Sequence, residues 1–471
     1  MRILFFINKY TIGINRERWY PDFLKGLQVE LRLTDHDVSF VYFGEGFQQC
    51  FTGDNLHAYN KFKIFENDDI VNEAHRIERD YKFTFKQAYY PDILQTSKFQ
   101  NTRKINLPQV EFNNTKDLVS RFLFLEKLFS DHKYDACIVD QSPELEYEYG
   151  RALCLHFNKI FLRHSVSFLG KSVFFQQYKF GKERVVNVYN ENLDSTFNAQ
   201  SFIDDFVRNS RPPYKKRKEF NQEKKLTIID SIFKYIKVLI NFSNLFSISK
   251  RLVFSVFYWM EENFLKRSVE SSYNEKLPYI FFGLHKPIEG SITLRGLPYM
   301  NQASLIESIS RILPVGMYLY VREHPSWKSF FPYSFLADIA KLPNVRVIPT
   351  YININNILKN SKAVMSYNAT TGIEALMHGK AVLSFCPNVY TNYHPSAIEC
   401  YDLFELGEKV VELVNLDVNY KDTCNYIDKF HRISDNINLN SNCFFSKDDA
   451  NLKSVMFSGR LIKAINWCKR N

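Results

Sequence analysis

Two stretches of this chain place ligand-capable residues directly behind apolar runs. In YLYVREHPSW, the run from Tyr318 to Val321 is followed by Arg322, Glu323, His324 and Pro325. In AVMSYNATTGIEALMHGKAVLSF, the run ends in Asn368, Thr370, Thr371 and Gly372, and Glu374 follows within the next helical pattern. An arginine meets a phosphate or carboxylate bidentately. A histidine donates to a phosphate or a base edge, and Pro325 fixes the turn. The start of a helix offers free N–H groups and partial positive charge, which suits a phosphate. Thr370 and Thr371 add hydroxyl donors, and Gly372 allows close approach of backbone to ligand. Each residue also has a plainer use. Thr is an ordinary N-cap, Glu374 interacts favourably with the helix dipole, and a lone His is more often structural. Two such loops on one sheet edge favour a nucleotide-type pocket at the carboxyl ends of parallel strands.

The surrounding pattern supplies that sheet. A second α/β unit starts at Pro278, with strands at 279–283, 316–321, 345–348, 363–366 and 381–385 and helical spacing at 301–312, 335–341, 354–360 and 371–378. The chain opens in the same way. Arg2 to Asn8 is a continuous apolar run, Trp19 to Leu33 has helical spacing, and Val38 to Phe43 is a second strand. That β–α–β opening is the usual start of a doubly wound sheet. Further on, 118–129 reads as a helix, 134–140 as a strand, 143–157 as a helix opened by Ser142 and Pro143, and 159–163 as a strand. Residues 50–115 lack a clear period and read as helical insertions or long loops. The expected division is 1–205, a Rossmann-like first domain; 206–276, a basic linker and helical insert; 277–400, a second Rossmann-like domain; and 401–471, a helical tail.

Composition narrows the class. The chain has 471 residues, too many for one ordinary core. Hydrophobic residues make up 45%, enough to bury sizeable cores. Lys and Arg total 61 against 51 Asp and Glu, a net charge of +10, which favours anionic partners. The eight cysteines form no CxxC pair, so neither a zinc site nor a disulfide framework is expected, and reduced thiols fit a cytoplasmic protein. The N-terminal apolar run is short and lacks a cleavage-like tail, and no stretch of 18 apolar residues occurs. RPPYKKRKEFNQEKK (211–225) is proline-bearing and basic, and 228–265 has amphipathic helical spacing. These read as an insert packed between domains or as a membrane-surface helix beside a polybasic loop. No nucleic-acid motif accompanies the charge.

The stretch from Tyr279 to Tyr390 resembles the capsule-polysaccharide synthesis family of bacterial glycosyltransferases, CMP-Kdo transferase-like enzymes of the GT-B class. FFGLHKPIEGS (281–291), the helix with its preceding Asn301 and Gln302, LPVGMYLYVREHPSW (313–327) and NATTGIEALMHGKAVLSF (368–385) carry the resemblance. It implies an α/β GT-B fold, two Rossmann-like domains facing a cleft. It also implies that His324 and Pro325 lie at the nucleotide, that Thr370, Thr371 and Gly372 hold its phosphate, and that Glu374 lies near the ribose or sugar. Glu289 falls where the family has a Pro-Glu pair, here interrupted by Ile288. His285 and Lys286 are further candidates for an anionic donor, and Arg322 is the family's basic residue before Glu-His-Pro. GT-B sites work without a metal, so no metal and no cofactor are expected.

The implied reaction moves an acid sugar, Kdo or a relative, from a CMP-activated donor to a glycan or glycolipid acceptor. The acceptor hydroxyl needs a base within hydrogen-bond reach, which the first domain should supply. Asp140, Glu144, Glu146 and His164 stand at or just past strand ends there, with Asp140 and Glu144 favoured. Each is also a natural cap or solvated charge. The expected location is cytoplasmic, with attachment at the inner membrane surface through the basic insert. A CDP-glycerol-type polyol-phosphate transferase, a UDP-sugar-dependent enzyme or epimerase, and a non-catalytic scaffold are the alternatives.

Overall fold

The computed structural model describes residues 1–7, 20–43, 56–59, 69–89, 115–139, 145–166, 169, 173–179, 182–189, 197–209, 260–286, 292, 295–296, 299–324, 331–367, 370–391, 393–434 and 447–471. Among these residues lie two sheets. The first runs in the order β3-β2-β1-β4-β5-β6-β7, with β1 Arg2–Ile7, β2 Asp37–Tyr42, β3 Leu56–Ala58, β4 Ala136–Val139, β5 Ile160–Val166, β6 Val173–Lys179 and β7 Lys182–Val185. It is parallel from β3 to β5. The last two strands run antiparallel to their neighbours. The second is parallel throughout, in the order β10-β9-β8-β11-β12-β13. Its strands are β8 Tyr279–Gly283, β9 Tyr318–Arg322, β10 Val345–Val347, β11 Ala363–Ser366, β12 Ala381–Ser384 and β13 Ala397–Glu399. Counted within each half, both sheets open 3-2-1-4-5, the doubly wound order of a Rossmann-like unit. The expected GT-B type architecture of two such units is thus present.

Central parallel strands are covered on both faces, which is why β1 and β4 read as unbroken apolar runs. Side chains still alternate. Ile3, Phe5 and Ile7 face the helix Tyr20–Leu33, while Leu4 and Phe6 face the helices Thr115–His132 and Leu145–His156. The first core is closed by the end of the chain. The helix Lys447–Arg470 lies against Tyr20–Leu33, with Phe457 edge-on to Phe5 and Phe23 at 6.3 and 5.8 Å. The two helices approach so closely that a Cβ on Gly26 would stand 2.3 Å from the Ser454 hydroxyl. The final helix therefore completes the first half, and Arg460 Nη2 donates to both Val188 and Ile433 carbonyls, at 2.8 and 2.9 Å. In the other direction, the helix Ala199–Asn209 buries Ile203 and Phe206 in the core of the second half. The expected boundary at 205 falls inside that helix. Of the expected insert, residues 210–259 lie outside the described residues. Among the described residues no helix is long and apolar enough to cross a membrane.

Two histidines, His394 buried and His378 half-buried, make the second half acid-sensitive. His394 accepts from the Ser396 amide at Nδ1 (3.1 Å), and its Nε2 lies 3.1 Å from Thr423 Oγ1. The ring is thereby held neutral, and burial lowers its pKa to about 4. Burial, then Lys380 and Lys359, lowers His378 to about 4 as well. The unfolded chain takes up these protons near 6.5, before the folded one does. Stability is therefore fully present above pH 6.5 and falls as pH drops toward 4. Melting curves from pH 7.5 to 4.5 should show Tm declining through this window, with a shallower decline in His394→Gln. A flat profile would contradict the assignment.

Candidate functional site

The second sheet reverses its winding between β8 and β11, and in open α/β sheets the ligand crevice lies outside the carboxyl ends of the strands at that point. Three strand ends are level there. Gly283 pairs with Arg322 across β8 and β9, and Phe282 pairs with Met365 across β8 and β11. Adjacent strands are about 4.8 Å apart, so the ends of β9 and β11 stand roughly 10 Å from each other. This edge brings together Arg322, Glu323 and His324 after β9, His285 and Lys286 after β8, and Thr370, Thr371, Gly372 and Glu374 after β11.

These residues divide by what surrounds them. Arg322 is 6% exposed, donates from Nη1 to the Ile352 carbonyl at 2.7 Å and lies over the Phe281 ring. Glu323 is buried, and both its oxygens accept from Lys266 Nζ, at 3.0 and 3.2 Å. Lys266 opens the short helix Lys266–Val269, which continues a π-helical turn, Glu261–Leu265. Glu261 in turn accepts from the Tyr333 amide at 2.6 Å. The segment before the second sheet thus anchors both flanks of the loop after β9. His324 is the exposed residue of this trio.

Behind the loop after β8 stands Gln302, at the start of the helix Gln302–Ile312 and not among the expected site residues. It is 2% exposed and grips the His285 peptide with both ends of its amide, accepting from the N–H (2.9 Å) and donating to the carbonyl (2.7 Å). Asn301 caps the same helix, Gln302–Ile312, by accepting from the Ser304 amide. The His285 ring then packs edge-on to Tyr367, at 5.1 Å, across the point where the winding reverses.

After β11, the helix Thr370–Met377 begins at the expected turn, with Thr370 exposed, Thr371 half-buried and Glu374 9% exposed. Gly372 has a reason beyond approach to a ligand. A Cβ there would stand 2.5 Å from Cζ and the hydroxyl of Tyr390. Tyr390 is fully enclosed and donates to the Tyr367 carbonyl at 3.1 Å, as does the Ser384 hydroxyl at 2.8 Å. The polar floor beneath the turn is therefore built by packing on a glycine.

The first half meets the second through β7 and the residues just after it; β7 and its partner β6 were not expected from the sequence. Glu183 on β7 accepts from Tyr147 at Oε1 (2.5 Å) and from Arg163 Nη2 at Oε2 (2.6 Å). Arg295, between β8 and the helix Gln302–Ile312, reaches the same Oε2 with Nε at 3.4 Å. Nearby, Tyr393 donates to Asn187 Oδ1 (2.6 Å) and the Val185 carbonyl (3.2 Å). Of the expected acceptor-side residues, His164 is 4% exposed and enclosed by Phe5 and Phe457, on the face of β5 opposite Arg163. That is a core position, away from the junction of the halves. Glu146 is also buried, 3.9 Å from Arg121. Asp140, Glu144, Glu289, Pro325 and Asn368 lie outside the described residues.

Residues 296–393 match the family model described as capsule polysaccharide biosynthesis protein. The resemblance carried by LPVGMYLYVREHPSW and NATTGIEALMHGKAVLSF is supported there. No curated protein matches the chain. Among solved structures, it is similar to the Thermosulfurimonas dismutans KpsC beta Kdo 2,7 transferase, at 12% identity over 72% of this chain and 95% of that one, with a TM-score of 0.32. The Methanocaldococcus jannaschii UDP-GlcNAc 2-epimerase in complex with UDP-GlcNAc and UDP matches at 11% identity over 92% and 98%, with a TM-score of 0.27. A glycosyltransferase from Rickettsia africae matches at 11% over 98% of each chain, with a TM-score of 0.27. Such low identities and TM-scores give these likenesses no functional weight.

The contact at Gly372 is open to test. Gly372→Ala should force Tyr390 to move and cost about 1–3 kcal/mol, the usual range for overpacking. Adding Tyr390→Leu should recover part of the loss in a thermal melt. Additive losses in the double variant would contradict a direct clash.

Proposed function

We propose that this chain, whose residues 296–393 carry the capsule polysaccharide biosynthesis pattern, is a nucleotide-sugar-dependent glycosyltransferase. It moves Kdo or a related acid sugar from a CMP-activated donor to a glycan or glycolipid acceptor in bacterial surface polysaccharide synthesis. One observation carries the reading: the family-matched segment supplies β9 and β11, whose ends are level on either side of β8 at the reversal of a doubly wound sheet. The exposed His324 and the Thr370–Thr371 helix start stand on the two sides of β8 there.

In this reading the nucleotide lies toward His324 and its phosphate meets the amides and hydroxyls at Thr370 and Thr371. Glu374 lies toward the ribose or sugar, and His285 and Lys286 line the floor. The acceptor oxygen bonds to the anomeric carbon as the bond from that carbon to the phosphate oxygen breaks. CMP leaves with the electron pair, and helix N–H groups and cations offset its growing charge. The acceptor proton passes to a carboxylate of the first half, for which Asp140 and Glu144, just after β4 in sequence, are the candidates. The basic stretch 211–225 would hold the enzyme at the inner membrane surface.

Incubation with CMP-, UDP- and GDP-sugars and CDP-glycerol, read by mass spectrometry, tests this directly. CMP release with transfer of an acid-sugar mass is the expected result. His324→Ala and Thr371→Ala should each lower kcat/KM about 100-fold, as for loss of one transition-state donor. Turnover of UDP-sugars or CDP-glycerol alone would contradict the donor assignment. Unchanged donor binding in both variants would remove these residues from the pocket.

A further inference from the structure

Arg295 has surroundings that only partly satisfy it. Its side chain is 16% exposed, and among the described residues it has one hydrogen-bonding or ion-pair partner, Glu183 Oε2 at 3.4 Å from Nε. That oxygen already accepts from Arg163 at 2.6 Å, and the other accepts from Tyr147. Among the described residues, one buried carboxylate therefore serves two guanidiniums, with a positive charge left over. Among the described residues, the other ionisable groups that act on Arg295 are Tyr147 and Cys386. Burial raises both, so both are neutral at physiological pH. Neither offsets the surplus.

Its place in the fold matters as much as its charge. Cys386 follows β12, and Ser384 at the end of β12 pairs with Ser366 at the end of β11. Arg295 lies in the connection that leaves the carboxyl end of β8 for the helix Gln302–Ile312, on the edge of the second sheet where the loops after β9 and β11 also open. Burying a charge that shares its counter-ion with a second guanidinium is costly. A guanidinium anchored through Nε keeps its two Nη groups as a fork, the geometry that receives a carboxylate or phosphate bidentately.

We propose that Arg295, held in place by Glu183, forms an oxyanion subsite of the donor pocket and receives the carboxylate or the phosphate of the activated acid sugar. The proposal rests on the donor reading above and adds a specificity residue to it. Because Glu183 belongs to the first half, the subsite is complete only when the two halves are apposed.

The test uses the full chain with Arg295→Gln and Arg295→Lys. Without ligand, Arg295→Gln should melt at or above the wild-type temperature, since Glu183 keeps Arg163 and the surplus charge is gone. In titration calorimetry with CMP-Kdo, Arg295→Gln should bind about tenfold or more weakly, the loss expected for hydrogen bonds to a charged group. Arg295→Lys should fall between the two. CMP in the same titrations separates the sources. An equal loss for CMP assigns the phosphate, and unchanged CMP binding assigns the sugar carboxylate. If wild type does not bind CMP-Kdo, the donor reading fails and inorganic phosphate decides the subsite. Phosphate that raises Tm in wild type and not in Arg295→Gln supports it, and equal shifts overturn it. Wild-type affinity in Arg295→Gln also overturns it. So does a variant that unfolds, or one that melts lower with its ligand response intact, because Arg295 would then be a structural strut.

Discussion

The carboxylate of Glu183 joins the two halves of this protein. It is 6% exposed and touches Arg163 and Tyr147 from its own half and Arg295 from the other. Removing Glu183 would leave two guanidiniums without it, and losing the counter-ion of a buried charge typically costs about 3–5 kcal/mol. The junction around it is mostly uncharged. Tyr393 donates to Asn187, Ile203 and Phe206 sit in the second core, and Arg460 spans the Val188 and Ile433 carbonyls. Among the described residues, the cluster around Glu183 thus gives the junction an ion pair with a direct electrostatic stake in how the halves meet.

The second sheet gives that junction its use. Its winding reverses where β8 lies between β9 and β11, so the loops after these strands open on one crevice. Each loop is held from behind. Gln302 fixes the peptide of His285, Lys266 neutralises Glu323, and Tyr390 fills the space that Gly372 leaves. With those supports in place, His324 and Thr370 are at the surface of the edge, with Thr371 half-buried beside Thr370. A rigid frame carrying a few exposed polar groups is what positioning a phosphoryl leaving group requires.

Much of this frame could be read in the sequence. Parallel strands buried on both faces give apolar runs, and β8, β9, β11 and β12 each stand out as one, with a polar residue or turn after it. The antiparallel pair β6 and β7 does not, because its buried positions include Gln176, Gln177 and Glu183, which have the composition of a solvated surface. Two strand-like runs around Gly181 are the cue that the sequence offered. Pairings across long separations are silent in a single sequence, whether Lys266 with Glu323 or Glu183 with Arg295. Gly372 shows the same limit. Its need for a residue without a Cβ was legible, but the cause, Tyr390, lies in a different loop.

Backbone hydrogen exchange with and without CMP tests the central claim, that the carboxyl edge of the second sheet is a nucleotide-donor pocket, most directly. The account predicts slower exchange at His285, Lys286, Glu323, His324 and the first turn of the helix Thr370–Met377, with little change in β1, β4 or the helix Lys447–Arg470. Protection confined to other segments, or none at saturating CMP, would contradict it.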